Sequence, residues 1–190
     1  MILATLILAQ SAAQTPKTPF ETDAMRKPSV VTHGNVLIKD GYVITVAGDP
    51  IPDGDVLIQN GKIKAVGANL SAPTGTVVID ARGKIVTPGI IDAHSHMAAS
   101  SSVNEYTDAT VPEVRIADII DPDDSSFYYK LASGYTSALV LHGSSNPVGG
   151  QSQIIHMKWR SPVQDVLFDG AFRVVKFALG ESTILTESRL

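Results

Sequence analysis

A chain of 190 residues, 44% hydrophobic and 18% charged, has enough apolar side chain for a packed core and enough length for one or two domains. The formal net charge of -4, with no lysine- or arginine-rich run, argues against a nucleic-acid surface. Cysteine is absent, which excludes thiolate metal ligands, a cysteine nucleophile and disulfides while leaving the compartment open.

Residues 1–13 hold a short apolar segment, Ile2 to Ala9, followed by small residues. Ser11 and Ala13 fit the -3/-1 positions of a cleavage site before Gln14, so this stretch reads as a secretory signal peptide and the product as periplasmic or secreted. No positive residue precedes the apolar segment, and the alternative is an N-terminal extension of a cytoplasmic protein. The segment is too short to cross a bilayer, so no transmembrane span is expected. Residues 14–29, rich in Thr, Pro and Lys, read as a flexible lead-in.

Residues 30–86 carry an internal echo: V-L-I-K-D-G at Val36–Gly41 recurs as V-L-I-Q-N-G at Val56–Gly61. Each is an apolar run ending in Asp-Gly or Asn-Gly and followed by another β-prone run, which predicts two hairpins with a loop over Ala47–Gly54 between them. A further strand, Thr76–Ile79, leads through Asp80–Gly83 into Lys84–Val86. A small β-sandwich is the natural way to bury such strands. His33 reads as an exposed turn residue, and the segment as support rather than chemistry.

Lys84–Met97 reads K-I-V-T-P-G-I-I-D-A-H-S-H-M. An apolar run feeds two histidines separated by one residue, and an extended backbone puts side chains i and i+2 on one side. His94 and His96 can therefore reach one ion together, at the roughly 2.0–2.1 Å that imidazole nitrogen adopts on zinc. An isolated H-x-H pair would read first as polar surface or as satisfied core histidines.

Ala98–Asp108, rich in Ser, Asn and Thr, suits a substrate-facing βα loop or a solvent loop. Val111–Ile120 fits a helix ending near Pro122, and Ser125–Ser133 a second one, stopped by Gly134. Thr136–Leu141 is then a buried strand, and helix, glycine, strand is the rhythm of a parallel sheet or barrel. His142 through Gln151, H-G-S-S-N-P-V-G-G-Q, follows that strand. His142 would either orient substrate or serve structurally. Gly149 and Gly150 permit close backbone approach, for a bound anion or carbonyl or merely for a cramped turn. With Gln151 these form the substrate-proximal candidates. No nucleotide-binding phosphate loop is present.

Ser152–Trp159 reads as an extended arm. Alternation there puts His156 opposite Gln151 and Gln153, so it does not join the H-x-H pair, and Trp159 reads as packing the arm down. Val163–Asp169 is a short linker or helix. In the strand Ala171–Leu179, Lys176 shares a row with Phe172, Val174 and Ala178, where a lysine costs desolvation unless it finds a carboxylate or is modified.

The stretch V-T-P-G-I-I-D-A-H-S-H resembles the first barrel strand of the amidohydrolase superfamily, metal-dependent hydrolases on a distorted (β/α)8 barrel beside a small β-sandwich. N-P-V-G-G-Q and V-V-K-F-A-L-G-E resemble more narrowly its imidazolonepropionase-related branch. The resemblance runs from about Val36 to Glu181. It implies an α/β fold with a β-sandwich segment at 30–86 and the N-terminal part of a TIM-like barrel at 87–190. It also implies hydrolysis of an amide or other C–N bond, in a small amide or peptide-like substrate, by metal-activated water. His94 and His96 would bind Zn2+ or another divalent ion. Glu181, just beyond a barrel strand, would be the further ligand; the alternative is a carboxylated Lys176 bridging two metals.

In that family a late-strand aspartate and two further histidines complete the site, and the stretch from Lys84 to Leu190 falls well short of the roughly 250 residues of a full barrel. The terminal E-S-T-I-L-T-E-S-R-L also departs from the branch's G-E-N-P-K-like continuation. The expectation is an incomplete barrel of three strands, Ile85–Ala93, Thr136–Leu141 and Phe172–Leu179, inactive as it stands and open to self-association through an exposed edge. The competing expectation is a non-catalytic exported β-rich fragment that binds another protein.

Overall fold

The computed structural model describes residue 22 and residues 24–180. They fall into two compact units divided between Val31 and Thr32. In the first, Met25 N–H closes a turn on the Thr22 carbonyl at 2.9 Å. The signal segment 1–13, part of the 14–29 lead-in, and Glu181 lie outside the described residues.

The second unit opens with a five-stranded sheet built from β1 (Val36–Val43), β2 (Ile51–Gln59), β3 (Lys62–Ala68), β4 (Val77–Asp80) and β5 (Ile85–Val86). The order is β3-β2-β1-β4, with β5 also on β1. β2 and β3 form the predicted hairpin over Asn60-Gly61, whose φ angles of 50° and 72° are those of the primed turn that matches strand twist.

The other half of the echo does not turn. β1 runs on through Asp40 (φ 60°) and Gly41, and the break in its register with β2 makes the dipeptide a bulge rather than a hairpin. Two contacts hold it so. The buried Asp55 carboxylate accepts the Asp40 N–H at 2.8 Å and the Leu70 N–H at 2.7 Å. A side chain at Gly41 would crowd Val86 and Ala81. The second half of the expected Ala47–Gly54 loop is likewise strand, the start of β2.

A second sheet holds β6 (Ile90–Ser95), β7 (Tyr135–Val140) and β9 (Gln153–His156). β6 and β7 are parallel and joined through helix α1 (Ser126–Ala132), while β9 lies antiparallel to β7. Gly134, at φ 88°, ends α1, and its carbonyl accepts the Ile90 N–H at 2.9 Å. Phe127, Ala138, Val140, Ile155 and Val166 form the core here, the last from the short helix α2 (Val163–Val166). β8 (Val148–Gln151) and β10 (Val175–Phe177) make a separate antiparallel pair.

Three further sequence expectations are corrected. Ile85–Ala93 is not one strand: Pro88 has no backbone N–H to donate and Gly89 is pressed onto Thr136, so β5 pairs with β1 and β6 with β7. Val111–Ile120 is helical only in a 3-10 turn at Ile116–Ile119. Pro112 pushes Val111 out of the helical region, and Val111 N–H bonds to the Val148 carbonyl at 2.9 Å beside β8. The strand expected at Phe172–Leu179 shortens to β10 and pairs with β8, so β9 rather than β10 flanks β7.

None of the sheets closes among the described residues, and Ile90 and Ile91, in the apolar run before the histidines, are 48% and 70% exposed. No helix among the described residues is long and apolar enough to cross a membrane.

Candidate functional site

β6 delivers its histidines at its C-terminal end, alongside the C-terminal end of its parallel neighbour β7. Ser95, between them, points inward and is buried; His94 and His96 are exposed on the other side. Their rings are 5.1 Å apart, centre to centre, and inclined at 79°. Two imidazoles sharing a tetrahedral ion at roughly 2.0–2.1 Å have ring centres roughly 5 Å apart, so the separation fits a shared ion.

His96 Nδ1–H donates to the Leu141 carbonyl at 2.9 Å, which leaves Nε2 with its lone pair free for a ligand. The backbone reciprocates, since Leu141 N–H donates to the Ser95 carbonyl at 2.9 Å. Asp92 anchors the strand below. Its Oδ2 accepts from Lys130 Nζ of α1 at 3.0 Å and its Oδ1 accepts the His94 N–H at 3.2 Å. The Lys130 bond holds the Asp92 carboxyl below its ordinary range against the opposing effect of burial, with help from the His94 N–H.

Of the other ligands implied by resemblance, Glu181 is outside the described residues. Lys176 sits half-buried on β10, in a different sheet from the histidines, with no ion pair among the described residues. Among the described residues no three or more His, Asp or Glu side chains gather around one point.

Beside the pair, the residue after Leu141 is His142, 2% exposed. Its Nδ1–H donates to the Gly143 carbonyl at 3.1 Å. The two glycines of β8 lie against its ring: a Cβ at Gly149 would stand 2.6 Å from Nδ1, and one at Gly150 would stand 3.1 Å from Cδ2. The close approach these glycines permit is thus to an imidazole of the same chain. Gln151 is tied to the protein as well, its Nε2 donating to the Pro112 carbonyl at 3.0 Å.

His142 also lines a cavity of about 280 Å³ with Asn104, Glu105, Val114, Arg115 and Asp118 among its walls. Arg115 and Asp118 pair through two bonds of 3.0 and 2.7 Å. Asn104 and Glu105 fall in the Ser-, Asn- and Thr-rich loop that suits substrate or solvent alike, and the Leu141 carbonyl, a main-chain atom, carries no sequence signal. His156 packs at a tilt against Phe168, ring centres 4.8 Å apart, and Trp159 likewise against Tyr128 at 5.4 Å.

No protein-family model matches the chain. An amidohydrolase, tasK, of Hapsidospora irregularis is 32% identical over 149 residues, which cover 68% of this chain and 15% of the relative. A dihydroorotase of Geobacter sulfurreducens is 49% identical over 63 residues, or 33% of this chain and 15% of that protein. The crystal structure of an amidohydrolase from Thermotoga maritima MSB8 superposes with a TM-score of 0.72 at 35% identity, over 81% of this chain and 41% of that one. The chain therefore matches well under half the length of these relatives. Over the matched part, sequence and backbone agree: the chain has amidohydrolase-superfamily ancestry and a mixed α/β fold related to that superfamily's barrel.

Proposed function

We propose that this chain carries the first metal-binding strand of a metal-dependent hydrolase acting on amide or other C–N bonds, with His94 and His96 as imidazole ligands to a divalent ion, zinc by preference. The observation that carries the reading is the pair's geometry: rings 5.1 Å apart at the end of a strand, one already oriented through Nδ1 by a main-chain carbonyl. A neutral imidazole that donates one nitrogen and offers the other is the form in which histidine binds a metal. A divalent ion held there would lower the pKa of bound water toward neutrality and polarise a carbonyl.

The chain's own residues supply position. Asp92 and Lys130 clamp β6 to α1 beneath the pair, and Leu141 fixes the His96 ring. Glu181 is the preferred oxygen ligand, with carboxylated Lys176 as the alternative. The 30–86 segment is proposed as a supporting β-domain and 87–190 as the first part of a barrel, of the imidazolonepropionase-related branch, in an exported protein. Substrate would be a small amide or peptide-like molecule.

Zinc stoichiometry measured on the purified chain and on His94→Ala and His96→Ala tests the reading. Loss of the ion in both variants is expected; the same stoichiometry in all three rejects the pair as ligands.

A second reading, a β-rich fragment that binds another protein or a second copy of itself, is favoured by the apolar side chains left on its edges. Ile91 is 70% exposed, Phe172 71% and Phe177 67%. Sedimentation showing a monomer across concentration, together with metal-dependent hydrolysis of an amide probe, would count against it.

A further inference from the structure

Between the start of β9 and the segment that leads into β10 lies a second cavity, of about 310 Å³. Four charged side chains line it: Arg115, Asp118, Asp169 and Arg173. Arg115 and Asp118 are engaged with each other through bonds of 3.0 and 2.7 Å. Asp169 and Arg173 are not so engaged. Both are exposed, and among the described residues neither enters an ion pair, with the other or with any third group.

Local structure fixes where these two charges stand. Phe168 N–H donates to the Ile154 carbonyl at 3.0 Å, which ties the segment to β9, and Gly170, at φ 77°, turns the chain just after Asp169. Arg173 is aimed by Gln151. The Gln151 Nε2 donates to the Pro112 carbonyl at 3.0 Å, and its Oε1 accepts from Arg173 Nη1 at 3.4 Å. That amide oxygen is neutral, so it orients the guanidinium without cancelling its charge, and the rest of the donor fork stays available.

One unpaired guanidinium and one unpaired carboxylate in the same wall make the cavity dipolar. A simple anion would satisfy Arg173 and leave Asp169, and a simple cation would do the reverse. A dipolar ion satisfies both, because guanidinium takes a carboxylate in a fork and a carboxylate accepts from an ammonium. The same wall carries apolar ring surface. Phe168 is backed by His156, ring centres 4.8 Å apart, and Phe172 is 71% exposed. Such rings favour a ligand that brings a ring of its own, and about 310 Å³ is the small end of ligand pockets.

We propose that this cavity binds a zwitterionic α-amino acid with an aromatic side chain, its carboxylate on Arg173, its ammonium on Asp169 and its ring against Phe168 and Phe172. The site uses none of the residues proposed as ligands of an ion.

The probe is L-phenylalanine, titrated into the full chain by calorimetry. It is compared with 2-phenylethylammonium chloride and sodium 3-phenylpropionate, which keep the ring and one charge each. Saturable binding of phenylalanine is expected, about tenfold or more tighter than either half-probe. Arg173→Gln, which can still donate to Gln151, should remove the advantage of phenylalanine over phenylethylammonium. Asp169→Asn should remove its advantage over phenylpropionate. No saturable binding of phenylalanine, equal affinity for the three probes, or unchanged affinity in either variant would each overturn the proposal; the first is the result expected if Asp169 and Arg173 pair with each other in solution. His94→Ala should bind phenylalanine as the native chain does. Loss of binding there would mean that the amino acid is held by an ion at the histidines and would also overturn the proposal, whereas failure at Asp169 and Arg173 leaves the ion-binding reading untouched.

Discussion

His96 Nδ1 lies 2.9 Å from the carbonyl oxygen of Leu141, so the last bond of a parallel strand pair is made by a side chain in place of an amide. Both histidines stand in solvent, and the bond contributes little to the fold. His94→Ala and His96→Ala should each cost less than about 1 kcal/mol in urea unfolding. Zinc affinity should nevertheless fall at least tenfold in both, as read by competition with a chromogenic chelator. A large loss of stability would mean that the pair is structural.

The ion pair between Asp92 and Lys130 is different in kind, because Asp92 is only 18% exposed and joins the strand to the helix behind it. Asp92→Asn or Lys130→Met should destabilise by about 1–2 kcal/mol, more than an open surface pair would. The Asp92 carboxyl is held below its ordinary range when folded, first by Lys130. Its contribution is therefore complete above the unfolded carboxylate pKa and disappears as pH falls through the depressed folded value. Unfolding measured between neutral pH and pH about 2 should show this acid-side loss in the native chain and a smaller one in Asp92→Asn.

What was legible in the sequence, and what was not, follows the range of the interactions concerned. Asn60-Gly61 makes a hairpin because both residues take positive φ locally, and strand alternation alone brings His94 beside His96. Asp40-Gly41 has the same signature and forms a bulge, because Asp55, 15 residues away, captures the Asp40 N–H. The helix expected over Val111–Ile120 is overridden by Pro112 and by hydrogen bonds to β8, more than thirty residues on. In the candidate site, the Gly149-Gly150 pair announces a close approach, but its partner, the His142 ring, appears only in three dimensions. The Leu141 carbonyl is a main-chain atom 45 residues from the His96 it orients.

Asp55 is the charged residue on which the first sheet depends most. It is fully buried, and burial alone would raise its pKa. The N–H groups of Asp40 and Leu70, with the Lys39 ammonium 3.6 Å away, outweigh that and hold the carboxyl below its usual range. Asp55→Ala would leave two backbone donors without an acceptor, at a cost of roughly 2–4 kcal/mol. Asp55→Asn should cost less, because one amide oxygen still accepts. Thermal unfolding of the two variants should therefore rank native above Asn above Ala, and an Ala variant as stable as the native chain would show that the bulge is held by something other than this carboxylate.

Gly149→Ala and Gly150→Ala separate a side-chain obstacle from a main-chain one. At Gly149 the added methyl would meet His142 Nδ1 at 2.6 Å, and a ring can tilt. At Gly150 it would meet the Val114 carbonyl oxygen at 2.6 Å, and that oxygen already accepts the Gln151 N–H at 2.8 Å. Moving it sacrifices a bond beside β8, so relief there requires the backbone itself to shift. Gly150→Ala should accordingly destabilise by about 1–3 kcal/mol, as overpacked cores do. Gly149→Ala should cost less in stability but displace the imidazole, visible as a changed His142 15N resonance in an otherwise native spectrum. If the two variants proved equally stable with His142 undisturbed, the packing of this glycine pair against the ring would have to be abandoned.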